Sequence, residues 1–256
     1  MWDNPGCPAH DVRIRARCQQ GCYTAVGARR DLCCEEREIR EPETTTNVPE
    51  PEVQVQQIGL DEEIRVAVVG AGGHGRVALD VLLAAGLGDR VLGFYDDAHA
   101  AISDKVRGYP VLGDVEMLKS MLSVETVHLV VAITDNGARL RVANSLRGLG
   151  GQFFTAVHPL AYVSAVATVE GGCVVAAGAV VHPDAMVGSH CYLGPCSVVD
   201  RDAEVGAGSW LSAGSAVGAG ASIGARVVMR PNTSVGRKAL VEAGAEVSTH
   251  GAKESS

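Results

Sequence analysis

Between Val199 and Val205 the sequence reads VDRDAEV, so Asp200, Arg201, Asp202 and Glu204 stand close together. Carboxylates beside a guanidinium can pair as ions, each exposed pair contributing about 0–1 kcal/mol. Alternatively the guanidinium holds a phosphate or a carboxylate by a bidentate contact. Arginine stays protonated, so Arg201 cannot take a proton from a reacting group. The candidate that can is His182, which stands three blocks of six before Asp200. If three such blocks make one structural period, the imidazole stacks beneath Asp200, and a His–Asp pair can act as a general base. The other reading of His182 is a solvent-facing residue at a tolerant turn.

A second stretch with chemical potential is GAGGHG, residues 70–75. It satisfies GxGxxG through Gly70, Gly72 and Gly75. Such glycines let the backbone approach a phosphate, while the following helix offers its first N–H groups. Asp96 or Asp97, at the end of the next apolar run, is placed to accept a bond from a ribose hydroxyl. Taken alone, the pattern fits a dinucleotide site and a nicotinamide-dependent oxidoreductase. His74 is either a ligand contact or a helix-start residue capping its own turn.

The elements that position these groups follow from periodicity. An aliphatic residue recurs at every sixth position from Val163 to Val247, fifteen times without a break. The fourth residue after each is mostly small or polar, as at Cys173, Ala179, Cys191 and Ser209. A beat of six fits neither an amphipathic helix nor an ordinary strand pair, but it fits a hexapeptide β-helix. Three hexads make one circuit, so residues one circuit apart stack about 4.8 Å from each other. Fifteen hexads predict about five coils. His190 falls on the next wall after His182, and His158 at the domain junction; both are expected to be structural. Tyr192 and Trp210, also one circuit apart, should stack along one edge. They either line an acyl or adenine groove or, the preferred reading, pack against a neighbouring subunit.

Upstream, the pattern changes. IRVAVVG, RVLGFYDD, VHLVVAI and GQFFTAV read as strands, whereas RVALDVLLAAG and NGARLRVANSLRGLG have helical spacing. Strands alternating with helices imply a parallel sheet with ligand space at the strand carboxyl ends. The fold class is therefore α/β plus all-β. The expected organisation is a disordered extension and linker over 1–63, a Rossmann-like domain over 64–156, the β-helix over 157–250 and a tail over 251–256.

Composition agrees. Glycine numbers 31 and aromatics are 4%, so the core must be built from small aliphatic side chains. A net charge of −8 excludes a nucleic-acid surface, which needs a basic stripe. Residues 1–63 carry 7 Arg against 13 Asp plus Glu, most of the negative excess. Their Cys7, His10, Cys18, Cys22, Cys33 and Cys34 match no zinc spacing, so no metal is expected. No apolar run is long enough for a membrane span, and the N-terminal stretch lacks a signal-peptide core. A cytoplasmic location with reduced thiols is the expectation.

A dinucleotide-type domain followed by hexads resembles one family. VVGAGGHGRVALDVL, LGFYDD, GYPVLGD, VVAITDNGAR and HPLAYVSAVATV, in that order, are similar to the sugar acyltransferases that include sialic acid O-acetyltransferases and UDP-4-amino-sugar N-acetyltransferases. The resemblance covers residues 66 to about 169, and the hexads extend it to about 225. It implies a left-handed coil, a homotrimer, acyl-CoA (acetyl-CoA above all) bound between subunits, and a nucleotide-sugar acceptor. It further implies substrate contacts at Gly72, Gly73, His74, Gly75, Asp96, Asp97, Asn136 and Arg139. Such proteins carry a histidine in a DHDC-like hexad as the base. The matching stretch here is DRDA, with Arg201 in the place of the histidine and Asp202 retained. Further on, where relatives often have a second histidine near the acyl donor, this chain has Trp210. The catalytic candidates are thus His182, Asp202 and Arg201, with Trp210 at the donor. Two functions follow: an acyltransferase acting on a sugar amino or hydroxyl group, or a catalytically silent nucleotide-sugar binder or scaffold.

Overall fold

The computed structural model describes residues 64–248 except Glu125, together with the backbone of Gly251–Lys253. Among the described residues no helix is long and apolar enough to cross a membrane. The six Cys and His residues of the N-terminal segment lie outside the described residues.

The first part is a six-stranded sheet. Its strands are β1 (Val66–Val69), β2 (Val91–Tyr95), β3 (Lys105–Val106), β4 (Tyr109–Gly113), β5 (His128–Val131) and β6 (Gln152–Phe153), in the spatial order β3-β4-β2-β1-β5-β6. All pairings are parallel except β3 with β4. Helices α1 (Gly73–Ala84), α2 (Val115–Leu122) and α3 (Asn136–Arg147) connect the strands. Strand β1 is VAVV and every residue in it is buried, as a central strand covered on both faces requires. Caps set two helix starts. The Asp114 carboxylate accepts from Met117 N at 2.8 Å, and that of Asp135 from Ala138 N at 2.6 Å. Helix α1 has no such cap: its N-cap is Gly72, whose side chain cannot supply one.

The hexads form a three-sided, left-handed parallel β-helix of five full circuits. The first face stacks Ala156–Val157, Val174–Val175, Tyr192–Leu193, Trp210–Leu211, Val228–Met229 and Glu246–Ser248. The second stacks Tyr162–Val163, Val180–Val181, Val198–Val199, Ala216–Val217 and Ser234–Val235, and the third Thr168–Val169, Met186–Val187, Glu204–Val205, Ser222–Ile223 and Leu240–Val241. The register is three hexads throughout, for example Val181↔Val199↔Val217. Gly251–Lys253 adds an antiparallel strand at the end of the first face.

The second residue of each two-residue strand points inward and forms the prism core, including Val181, Val199, Leu211 and Val217, all fully buried. Each such side chain contributes roughly 1.5–3 kcal/mol of burial. At one corner the side chains cross-brace successive circuits. Thr155, Cys173, Cys191 and Ser209 donate to the carbonyls of Glu170, Gly188, Gly206 and Gly224 respectively. Cys173, Cys191 and Val227 donate their N–H groups to the side chains one circuit back, those of Thr155, Cys173 and Ser209. The polar side chains of this corner are thus paired, which explains hydroxyls and thiols in an otherwise aliphatic interior. Cys173, Cys191 and Cys196 are free thiols.

The structure departs from the sequence reading at two places. GQFFTAV is not one strand: Gln152–Phe153 ends the first sheet, and Ala156–Val157 opens the prism by pairing with Val174–Val175. The structure also has the β3–β4 hairpin and α2, which the sequence reading lacks: the hairpin strands are short, and α2 has only eight residues although Val115, Leu118 and Leu122 follow helical spacing.

Candidate functional site

The glycine loop leaves β1 at a sharp turn. Gly70 has φ +106°, and a Cβ there would lie 2.6 Å from the Ala132 oxygen. A Cβ on Gly75 would run into the Gly70 carbonyl oxygen. Only glycine serves at either position. Asp96 fixes the loop from β2: one carboxylate oxygen accepts from Ala71 N at 2.7 Å, and the other from Ala98 N at 2.9 Å. Asp97 accepts from Val115 N at 3.1 Å, tying down the start of α2. Asp96 and Asp97, one or the other expected at a ribose, both accept from backbone N–H groups of the surrounding loops. Gly72 and Gly73 are exposed, and a Cβ at either would meet nothing within 4 Å.

His74 turns the other way. It does not cap α1; its ring is 4% exposed and packs at 4.9 Å from the Tyr192 ring and 4.8 Å from the Trp210 ring. Burial, seconded by the Arg139 charge, pushes its pKa down to about 3, so the ring is neutral. This corrects the expectation for Tyr192 and Trp210. They stack on each other at 4.2 Å, but against α1 of their own chain rather than a neighbouring subunit. The physical reason is that the first face lies under the α/β part, whose buried face includes Ala78, Leu79 and Leu82.

Asn136 and Arg139, at the start of α3, lock the same junction. The Asn136 amide donates to the carbonyls of Arg226 and Val227 at 3.1 and 3.3 Å. Arg139 is 1% exposed. It donates to His190 O at 2.9 Å, Gly208 O at 2.7 Å, Ile133 O at 2.7 Å and Asn136 Oδ1 at 2.7 Å. Its guanidinium also sits 5.7 Å from the centre of the Trp210 ring. Its hydrogen-bonding capacity is directed at the protein's own carbonyls, a role the sequence did not announce. His190 is buried beside Arg147 and Phe153, and its pKa is pushed down to about 4 by burial and then by Arg147 and Arg139. His158 accepts from Leu160 N at 3.0 Å. Both fill the structural roles expected of them.

The second cluster lies on the corner that follows the second face. Here the stacking brings His182 and Asp200 together, with Nδ1 3.2 Å from Oδ1. The same carboxylate oxygen accepts from Arg201 N at 2.8 Å. That N–H first, and then the nearby His182, hold the Asp200 carboxyl below its ordinary range, so it remains an anion. With a proton on Nδ1 facing Asp200, the imidazole would present Nε2 as its free lone pair. Arg201 and Asp202 are exposed, with Nε 3.8 Å from Oδ2, too long for a hydrogen bond. Asp202 occupies a left-handed corner position, φ +58°. Within one chain the two clusters stay apart: the glycine loop sits over the first face, while His182 follows the second.

Comparison with known proteins agrees with this architecture. Residues 65–146 match the family model described as the PglD N-terminal domain. PerB from Caulobacter crescentus, solved with CoA and GDP-perosamine, is similar over 72% of this chain and 88% of its own, at 30% identity and a TM-score of 0.53. The acetyltransferase domain of PglB from Neisseria gonorrhoeae is similar over 72% of this chain and 91% of its own, at 30% identity and a TM-score of 0.57. That domain has also been solved with acetyl coenzyme A, at 28% identity and a TM-score of 0.52. No curated protein matches the sequence. By fold, domain order and likeness over most of PerB and of the PglB domain, the chain belongs to the hexapeptide-repeat sugar acyltransferase family.

Proposed function

We propose that this protein transfers an acetyl group from acetyl-CoA to an amino group on a nucleotide-linked sugar, with His182 as the base. The observation that carries the reading is the His182–Asp200 pair beside Arg201 on an open corner of the prism. An amine attacks the thioester carbonyl. As the C–N bond forms, Nε2 of His182 takes the nitrogen's proton, and collapse of the tetrahedral adduct expels CoA as the thiolate. Asp200 holds the imidazole tautomer and stabilises the imidazolium. Arg201 takes no part in proton transfer. An amine suits such a site better than a hydroxyl, because its unprotonated form is already nucleophilic and needs less help from the base.

A homotrimer completes the site. The outward column of the second face is Tyr162, Val180, Val198, Ala216 and Ser234, apolar over four of five circuits, with Tyr162 57% exposed. The matching column of the first face is covered by the chain's own α/β part. Packing second faces between copies buries this column and brings the glycine loop of one subunit towards the His182 corner of the next. Nucleotide sugar held near Gly72 and Gly73 then meets acyl donor held on the prism. Both substrates are cytoplasmic metabolites, and the protein works in that compartment.

The test is product analysis. Full-length protein with acetyl-CoA and a nucleotide 4-amino sugar should release CoA in step with a nucleotide sugar one acetyl group heavier. The new bond should survive hydroxylamine, as an amide does and an ester does not. The presence of Arg201 where relatives hold their base favours a second reading, a nucleotide-sugar binder without turnover. Tight sugar-nucleotide binding with no CoA release would select it.

A further inference from the structure

The corner that carries His182 changes character from one circuit to the next. Going up, the stacked triplets are His182-Pro183-Asp184, Asp200-Arg201-Asp202, Gly218-Ala219-Gly220 and Gly236-Arg237-Lys238. Backbone bonds prove the stacking. Asp202 N donates to Pro183 O at 3.3 Å, Gly220 N to Arg201 O at 3.0 Å, and Lys238 N to Ala219 O at 3.0 Å. The acids of these four triplets, Asp184, Asp200 and Asp202, all lie on the lower two circuits. The upper two carry none, and their charges are Arg237 and Lys238.

Between Arg201 and Arg237 lies a shelf with almost no side chains. Ala219 is buried, and a Cβ on Gly218 would sit 2.8 Å from Val235 O, so the packing forbids a side chain there. The shelf is one circuit tall, and Arg201 and Arg237 stand two circuits apart, about 10 Å. A Cβ on Gly220 would meet Lys238 Cγ at 3.5 Å, so the Lys238 stem lies directly over the shelf. Arg201, Arg237 and Lys238 are all exposed. Among the described residues neither Arg237 nor Lys238 has a carboxylate partner, and the Arg201–Asp202 contact is only 3.8 Å. Two cations without a carboxylate partner above bare backbone, and the loosely paired Arg201 below it, leave room for an anion and hold it from two sides.

We propose that this shelf is a diphosphate site, with Arg237 and Lys238 as its principal ligands and Arg201 at its lower rim. Two substrates of the proposed reaction carry a diphosphate, the acyl donor and the nucleotide sugar. The inference rests on that reading only for the identity of its occupant; the anion site itself does not depend on turnover.

The experiment is calorimetric titration of the full chain with CoA, pantetheine, inorganic pyrophosphate and a nucleotide sugar. Wild type is compared with Arg237→Ala/Lys238→Ala and, separately, Gly220→Asp. The second variant is structurally tolerated: Asp184 and Asp202 already occupy the equivalent corner position at φ +60° and +58°. It fills the shelf with a negative charge. Both variants should weaken pyrophosphate by about tenfold or more, the loss expected for charge-assisted bonds. Parallel loss for CoA with pantetheine unchanged assigns the shelf to the donor. Parallel loss for the nucleotide sugar assigns it to the acceptor. Unchanged pyrophosphate, CoA and nucleotide-sugar affinities in both variants overturn the proposal, whatever the CoA-release assay shows.

Discussion

His182 and Asp200 touch across one circuit of the prism, Nδ1 to Oδ1 at 3.2 Å, although three hexads of sequence separate them. Neither is exceptional alone. The coil supplies the contact, and with it the imidazole that the proposed reaction uses as its base.

If Asp200 orients that base, Asp200→Asn should lower kcat for CoA release roughly 100-fold with KM for the nucleotide sugar little changed. An equal rise in KM and no fall in kcat would mean that the carboxylate binds substrate instead.

Arg201→His puts an imidazole where the sequence resemblance expects the base. The variant should gain kcat, while KM rises for the diphosphate-bearing substrate that the shelf holds, because one rim of the shelf is lost. Stopped assays at varied donor and acceptor concentrations separate the two effects. A fall in both parameters would contradict the assignment.

The junction should be acid-sensitive. Unfolded, the His74 ring protonates near 6.5; folded, it does so only at about 3. His190 behaves alike, with a folded value of about 4. Over that interval the unfolded chain binds the additional protons. Stability is therefore full above about pH 6.5 and drains as pH falls towards 3–4, by a total on the order of several kcal/mol. His74→Phe keeps an aromatic ring against Tyr192 and Trp210 but removes one titration. Its denaturation midpoint should depend less steeply on pH between 6.5 and 4 than that of wild type.

Arg139→Met retains the stem and removes the donors. Two prism carbonyls, those of His190 and Gly208, lose their partner in a buried place. The cost should be about 2–4 kcal/mol in chemical denaturation. Val198→Glu, by contrast, places a charge in the apolar column of the second face. It should leave the monomer folded and dissociate the trimer in sedimentation.

Much of this was legible in the residues. The beat of six gave the prism, its stride of three hexads and the meeting of His182 with Asp200, because a solenoid turns sequence spacing directly into contact. The central strands were visible in their β-branched runs. What stayed hidden depends on how one part lies on the other. Nothing in the spacing says that His74 turns onto Tyr192 and Trp210, or that Arg139 spends its donors on prism carbonyls. The polar corner ladder could have been found: Thr155, Cys173, Cys191 and Ser209 follow the same stride. The split of GQFFTAV was not visible, since Phe153 and Val157 are equally good strand residues and only their partners differ.

The most direct test compares thiol release from acetyl-CoA by wild type and His182→Ala, each with a saturating nucleotide 4-amino sugar. The account predicts acceptor-dependent release by wild type and a rate at least about 100-fold lower in the variant, with its fold intact by circular dichroism. Equal rates in the two proteins would contradict it.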